Sequence, residues 1–127
     1  MLNFRHGVNT VLISPRRWGK TSLVQKACRL AQSDKLKIVY LDIFSCRSDR
    51  DFYDAFASAV LKQTSSKVDE WLENIKLFLS RISPKISMGA DPMTDFSISL
   101  EIDPKSNDSD EILQLPEKIA QKKGCNI

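Results

Sequence analysis

Ser14-Pro15-Arg16-Arg17-Trp18-Gly19-Lys20-Thr21 is the stretch whose residue types and spacing could do chemistry. It meets the phosphate-binding pattern G-x-x-x-x-G-K-[ST] at every position but the first, where serine stands for glycine. Such a loop needs backbone N–H groups turned toward phosphate oxygens and the positive end of a helix. It also needs a lysine for the terminal phosphates and a hydroxyl for Mg²⁺. Gly19 permits close backbone approach, Lys20 supplies the charge for the β and γ phosphates, and Thr21 supplies the metal ligand. Ser22 is expected at an α-phosphate oxygen, by its backbone or its side chain. Serine at position 14 strains the turn less than any larger side chain would. Pro15, Arg16, Arg17 and Trp18 complete the expected cofactor-binding loop, the arginines either touching phosphate or solvated, the Trp18 ring packed beneath the loop in preference to lying near the nucleotide.

The remaining chemistry-bearing residues are sparse. Ile38-Val39-Tyr40-Leu41-Asp42 ends an apolar run on an acid, the form of a metal-side carboxylate, but Ile43 stands where a water-activating glutamate belongs. Asp42 is therefore expected to cap or order the loop that follows. His6 is the only histidine and has no sequence partner that suggests catalysis. Cys28, Cys46 and Cys125 are odd in number and widely spaced, which reads as reduced thiols rather than a metal or disulfide framework. No catalytic residue is assigned.

The elements that must position the loop follow from periodicity. Val8–Ile13 is a β-branched apolar run stopped by Pro15, which reads as a buried strand. Apolar positions at helical spacing predict a helix from about Lys20 to Gln32, and Lys37–Ile43 a second buried strand. Strand, loop, helix and strand form a βαβ unit with parallel strands. Ser48 with Asp51 predicts a capped helix to about Gln63, and Ser66 with Asp69 repeats the signal. Val68, Trp71, Leu72, Ile75, Phe78, Leu79 and Ile82 form one apolar stripe that ends before Pro84. Period-two alternation predicts a β-hairpin over about 85–103, outside the main sheet. A last helix carries Ile112, Leu115 and Ile119, is kinked by Pro116 and is stopped by Gly124.

Composition agrees with one α/β domain. The chain has 127 residues with 42% hydrophobic and 28% charged residues, enough for a core, and it contains no run of the ~20 apolar residues that a membrane span requires. A cytoplasmic protein without membrane contact is the expectation. The net charge of +3 is unevenly placed, since Pro15–Lys37 holds seven basic residues and one acid.

The loop Leu12-Ile13-Ser14-Pro15-Arg16-Arg17-Trp18-Gly19-Lys20-Thr21-Ser22-Leu23 resembles the Walker A segment of the archaeal-type ATPases, AAA-like and STAND-related P-loop proteins. Tyr40-Leu41-Asp42-Ile43-Phe44 is similar to that family's second strand, and Leu113–Ala120 to the helix before its Walker B strand. The resemblance runs over nearly the whole chain. It implies a partial P-loop NTPase three-layer α/β fold with ATP and Mg²⁺ as cofactors, and switching often linked to DNA or to signalling partners. The family's upstream F-x-x-R-like segment, its Walker B carboxylates and its sensor residue are not matched. The expectation is accordingly a single, incomplete P-loop domain over 1–127 that binds ATP and lacks the Walker B carboxylates, with hydrolysis left open. Self-association follows from a sheet edge left without its neighbour.

Two other functions stay open. A vestigial loop would leave an interaction module built from the helix Val68–Ile82 and the hairpin, with a protein partner. A small P-loop kinase would need an acceptor-site carboxylate and a lid arginine, roles for which Asp42 and Arg47 or Arg50 are the candidates.

Overall fold

A computed structural model describes residues 6–78, 85–89, 97–101 and 108–127. Five helices carry the fold: α1 (Lys20–Ala31), α2 (Asp49–Thr64), α3 (Val68–Phe78), α4 (Asp108–Leu113) and α5 (Leu115–Lys123). Strands β1 (Lys85–Gly89) and β2 (Ser97–Glu101) pair antiparallel in the register Lys85↔Glu101 to Gly89↔Ser97. The backbone of β2 lies against α2.

The helices start and stop where side-chain chemistry demands. Ser48 caps α2 by accepting a hydrogen bond from the Asp51 N–H at 3.1 Å, and the Asp51 carboxylate in turn accepts the Arg47 N–H at 2.9 Å. That second bond, ahead of the Ser48 contacts, holds the Asp51 carboxyl below its ordinary range. At the start of α3, Ser66 N–H and Oγ–H both donate to Glu70 rather than pairing with Asp69. Pro116 does more than kink the last helix. Lacking an N–H, it sits in the first turn of α5, and the helical run breaks into α4 and α5 at Gln114. Gly124 ends α5 in the left-handed conformation at φ 63°, its N–H bonded to the Ala120 carbonyl.

The core is a helix junction. Ala57, Val60 and Leu61 of α2 meet Ile112, Leu115 and Ile119 of α4 and α5, all fully or almost fully buried. Val39, Tyr53, Phe56, Leu72 and Ile127 pack around them. The apolar stripe expected over Val68–Ile82 contributes Leu72; its positions 79–82 lie outside the described residues.

The expected α/β fold, a parallel βαβ core of the P-loop three-layer type, is not what forms. Val8–Ile13 and Lys37–Ile43 are not strands, and the described chain is dominated by helix. One isolated parallel bridge, Leu36↔Asn126, is all the parallel pairing among the described residues, made by Lys37 N–H to Asn126 O and Asn126 N–H to Lys35 O. The physical reason is that a β-branched apolar run only favours a strand; the ladder itself requires a neighbour for its N–H and C=O groups. Without one, Val11, Ile13 and Ile43 are 84%, 88% and 61% exposed where burial was expected.

Candidate phosphate-binding loop

The segment from Ser14 to Ser22 connects an irregular stretch to α1, and its backbone turns sharply twice. Arg17 has φ 68° and Gly19 φ 72°, both in the left-handed region. Glycine adopts that region freely, whereas at Arg17 it costs about 1 kcal/mol or more. Space for a side chain is not what excludes other residues at position 19, since nothing lies within 4 Å of where its Cβ would be; the positive φ is the constraint.

Gly19 is also the N-cap of α1, and no side chain caps that end. The first bond of the helix runs from Leu23 N–H to Gly19 O at 2.9 Å, so the N–H groups of Lys20, Thr21 and Ser22 have no acceptor within the helix. No acid stands in the first turn, and the helix dipole leaves this end positive.

Lys20 folds back over the loop. Its Nζ donates to Ser14 O and to Pro15 O, each at 2.7 Å, so the loop closes into a ring around one ammonium. These are charge-assisted bonds, the kind phosphate oxygens also make. Lys20 is half-buried, while Thr21 and Ser22 are exposed at the mouth of the ring. Pro15, Arg16, Arg17 and Trp18 are exposed along its outer rim. Trp18 thus does not pack beneath the loop, contrary to expectation; 73% of its surface faces solvent.

The other sequence candidates do not join this loop. Asp42 Oδ1 accepts the Phe44 N–H at 3.0 Å, the loop-ordering role expected of it. No group of three or more His, Cys, Asp or Glu side chains gathers among the described residues in a way that could hold a metal. The three cysteines are unpaired thiols. The Lys20 ammonium and the uncapped N–H groups of Lys20, Thr21 and Ser22 could hold an anion, with the Thr21 hydroxyl exposed beside them.

Clefts among the described residues lie elsewhere. One of about 480 Å³ runs between α1 and α2 and is lined by Gln25, Cys28, Arg29, Tyr40 and Lys62. Another, of about 660 Å³, lies between the segment at Val8 and that at Ile38, with Phe56, Val60 and Ile127 along it.

A polar latch that the sequence patterns did not reveal fastens α5 to α2 and α3. Lys123 Nζ pairs with Glu70 Oε1 at 2.5 Å and donates to the Thr64 carbonyl at the end of α2. Lys122 Nζ donates to Asn74 Oδ1 at 3.2 Å, and Asn74 Nδ2 to Ser65 Oγ at 3.2 Å. Asn74 is fully buried, although it falls outside the apolar stripe that marks the core-facing positions of α3.

No helix among the described residues is long and apolar enough to cross a membrane. Comparison with protein-family models, with curated proteins and with solved structures finds no match to this chain.

Proposed function

We propose that the loop from Ser14 to Ser22 binds the phosphate end of a nucleotide, with ATP as its Mg²⁺ complex the expected ligand. The observation that carries this is Lys20, whose ammonium is held at 2.7 Å by two loop carbonyls above an uncapped helix end. Phosphate oxygens would replace those carbonyls as acceptors, while the N–H groups of Lys20, Thr21 and Ser22 would meet the same anion from the other side. Thr21 would complete the coordination of the Mg²⁺ carried by the phosphates. The reading is local to the loop and uses nothing from a parallel sheet. Binding without turnover is the activity proposed, because Asp42 is committed to the Phe44 N–H and Ile43 cannot activate water.

Calorimetric titration of Mg²⁺-ATP and Mg²⁺-ADP into the chain and its Lys20→Ala variant tests the proposal. Loss of one charge-assisted contact to phosphate should weaken binding at least about tenfold. Helical circular dichroism should be unchanged. Equal affinity in the two proteins refutes it.

A second reading, protein association, is favoured by a separate observation. Val11, Ile13, Ile43 and Phe44 present large apolar side chains to solvent on segments whose backbone is not in a ladder. Such surface suits a partner strand or a second copy of the chain. It does not compete with the phosphate loop.

A further inference from the structure

We infer that α1, the loop leading into it and the cleft between α1 and α2 form one basic surface that binds single-stranded nucleic acid along its phosphate backbone. This surface is separate from the Lys20 ammonium, which is turned inward to the Ser14 and Pro15 carbonyls. α1 contains no acid. Helical spacing places Ser22, Gln25, Lys26 and Arg29 on one face, all exposed, while Val24, Ala27, Cys28 and Ala31 on the opposite face are half-buried or buried. Among the described residues, the side chains of Arg16, Arg17, Lys26 and Arg29 make no ion pair. Asp34, the one acid between Pro15 and Lys37, is already paired with Lys37 at 3.8 Å.

The cleft extends this face inward. Its walls carry Arg29 and Lys62, the amides of Gln25, Gln32 and Gln63 and the Tyr40 phenol, with no carboxylate among the described residues. Asp49, Asp51 and Asp54 belong to the first half of α2, whereas the cleft takes Ala59, Lys62 and Gln63 from the second. Arg29 and Lys62 stand in the last turns of their helices, where each helix end carries roughly half a negative charge. Two full cations against two half charges leave the cleft positive. A polyanion is the partner that such a surface complements. A flexible single strand can follow the cations from the loop to the cleft while an unstacked base enters between the amides. A duplex keeps its bases paired and stacked, so it offers the cleft nothing.

Fluorescence anisotropy on the full chain tests this, with a labelled oligothymidylate, the same strand paired with oligoadenylate, and polyglutamate of the same length. Three to four phosphate contacts should cost the single strand about 20- to 50-fold in affinity between about 50 and about 200 mM salt. Lys26→Gln and Arg29→Gln, made together, should weaken binding about tenfold or more at about 50 mM salt and flatten the salt dependence. Lys67→Gln and Lys76→Gln, an equal change of charge at exposed positions away from α1, should weaken it by less than about threefold. Equal losses in the two double variants overturn the surface, since net charge alone would then account for binding. No binding of oligothymidylate at about 50 mM salt overturns it outright. Duplex or polyglutamate bound as tightly as the single strand overturns single-stranded nucleic acid as the partner.

Discussion

Replacing Glu70 by glutamine tests the latch between α3 and α5 through its pH dependence. Glu70 Oε1 lies 2.5 Å from the Lys123 ammonium, and Oε2 accepts both the N–H and the hydroxyl of Ser66, at 2.8 and 2.9 Å. Lys123 foremost, then the Ser66 N–H, lowers the Glu70 pKa from 4.5 to about 2. A carboxylate with a depressed folded-state pKa contributes stability that is complete above its unfolded value. That stability is lost as pH falls toward the folded value, here between about 4.5 and about 2. The shift sets a ceiling of about 3 kcal/mol, at about 1.4 kcal/mol per pH unit. Both side chains keep solvent contact, 31% for Glu70 and 23% for Lys123. Screening by that water reduces the expected contribution to about 1 to 2 kcal/mol. Glu70→Gln retains the shape and can still accept from Ser66, but it has no charge for Lys123. Urea unfolding at pH 7 should therefore show the variant less stable by about 1 to 2 kcal/mol, and the gap should narrow to about a quarter of that as pH is lowered to about 2.5. A gap that stays constant across that range, or none at pH 7, would show that the Glu70–Lys123 pair does not stabilise the fold.

Ser48→Ala should destabilise the chain by about 1 kcal/mol, because the Asp51 N–H loses its cap acceptor; urea unfolding at pH 7 measures it, and an unchanged midpoint would contradict the cap. Self-association at high concentration is the expected outcome of the exposed Val11, Ile13 and Phe44. Sedimentation velocity over a hundredfold concentration range should show the coefficient rising, whereas a constant monomer value would count against association.

Features settled by local chemistry could be read from the sequence. The Ser48 cap needs only a hydroxyl and an N–H three residues on, and Gly124 ends α5 because glycine enters the left-handed region without a Cβ clash. The faces of α2 and of the last helical run were legible for the same reason, as periodicity places Val60, Ile112, Leu115 and Ile119 toward one core. Strand formation is a different kind of fact. Val8–Ile13 and Lys37–Ile43 have strand-like composition, yet whether they pair depends on what lies beside them, which their own residues do not encode. In the candidate site, the positions of Gly19 and Lys20 at the head of α1 were readable from the motif. The return of Lys20 to the Ser14 and Pro15 carbonyls was not, nor was the exposure of Trp18. Arginine gives no hint that its backbone is left-handed, so the turn at Arg17 was hidden as well. Glu70 was passed over for Asp69 as the partner of Ser66 because the helix begins at Val68, which moves the reaching acid one residue along.

The core joins two stretches of chain that are far apart in sequence, with α3 ending at Phe78 and α4 beginning at Asp108. The entropy of closing a loop grows only with the logarithm of its length, so doubling the interval between these helices would cost only about 0.6 kcal/mol. An insertion of that size outside β1 and β2 would thus cost no more than the ~0.8 kcal/mol of a single methylene removed from Leu61 or Ile119. The helical junction itself therefore sets little constraint on the length of chain that joins α3 to α4.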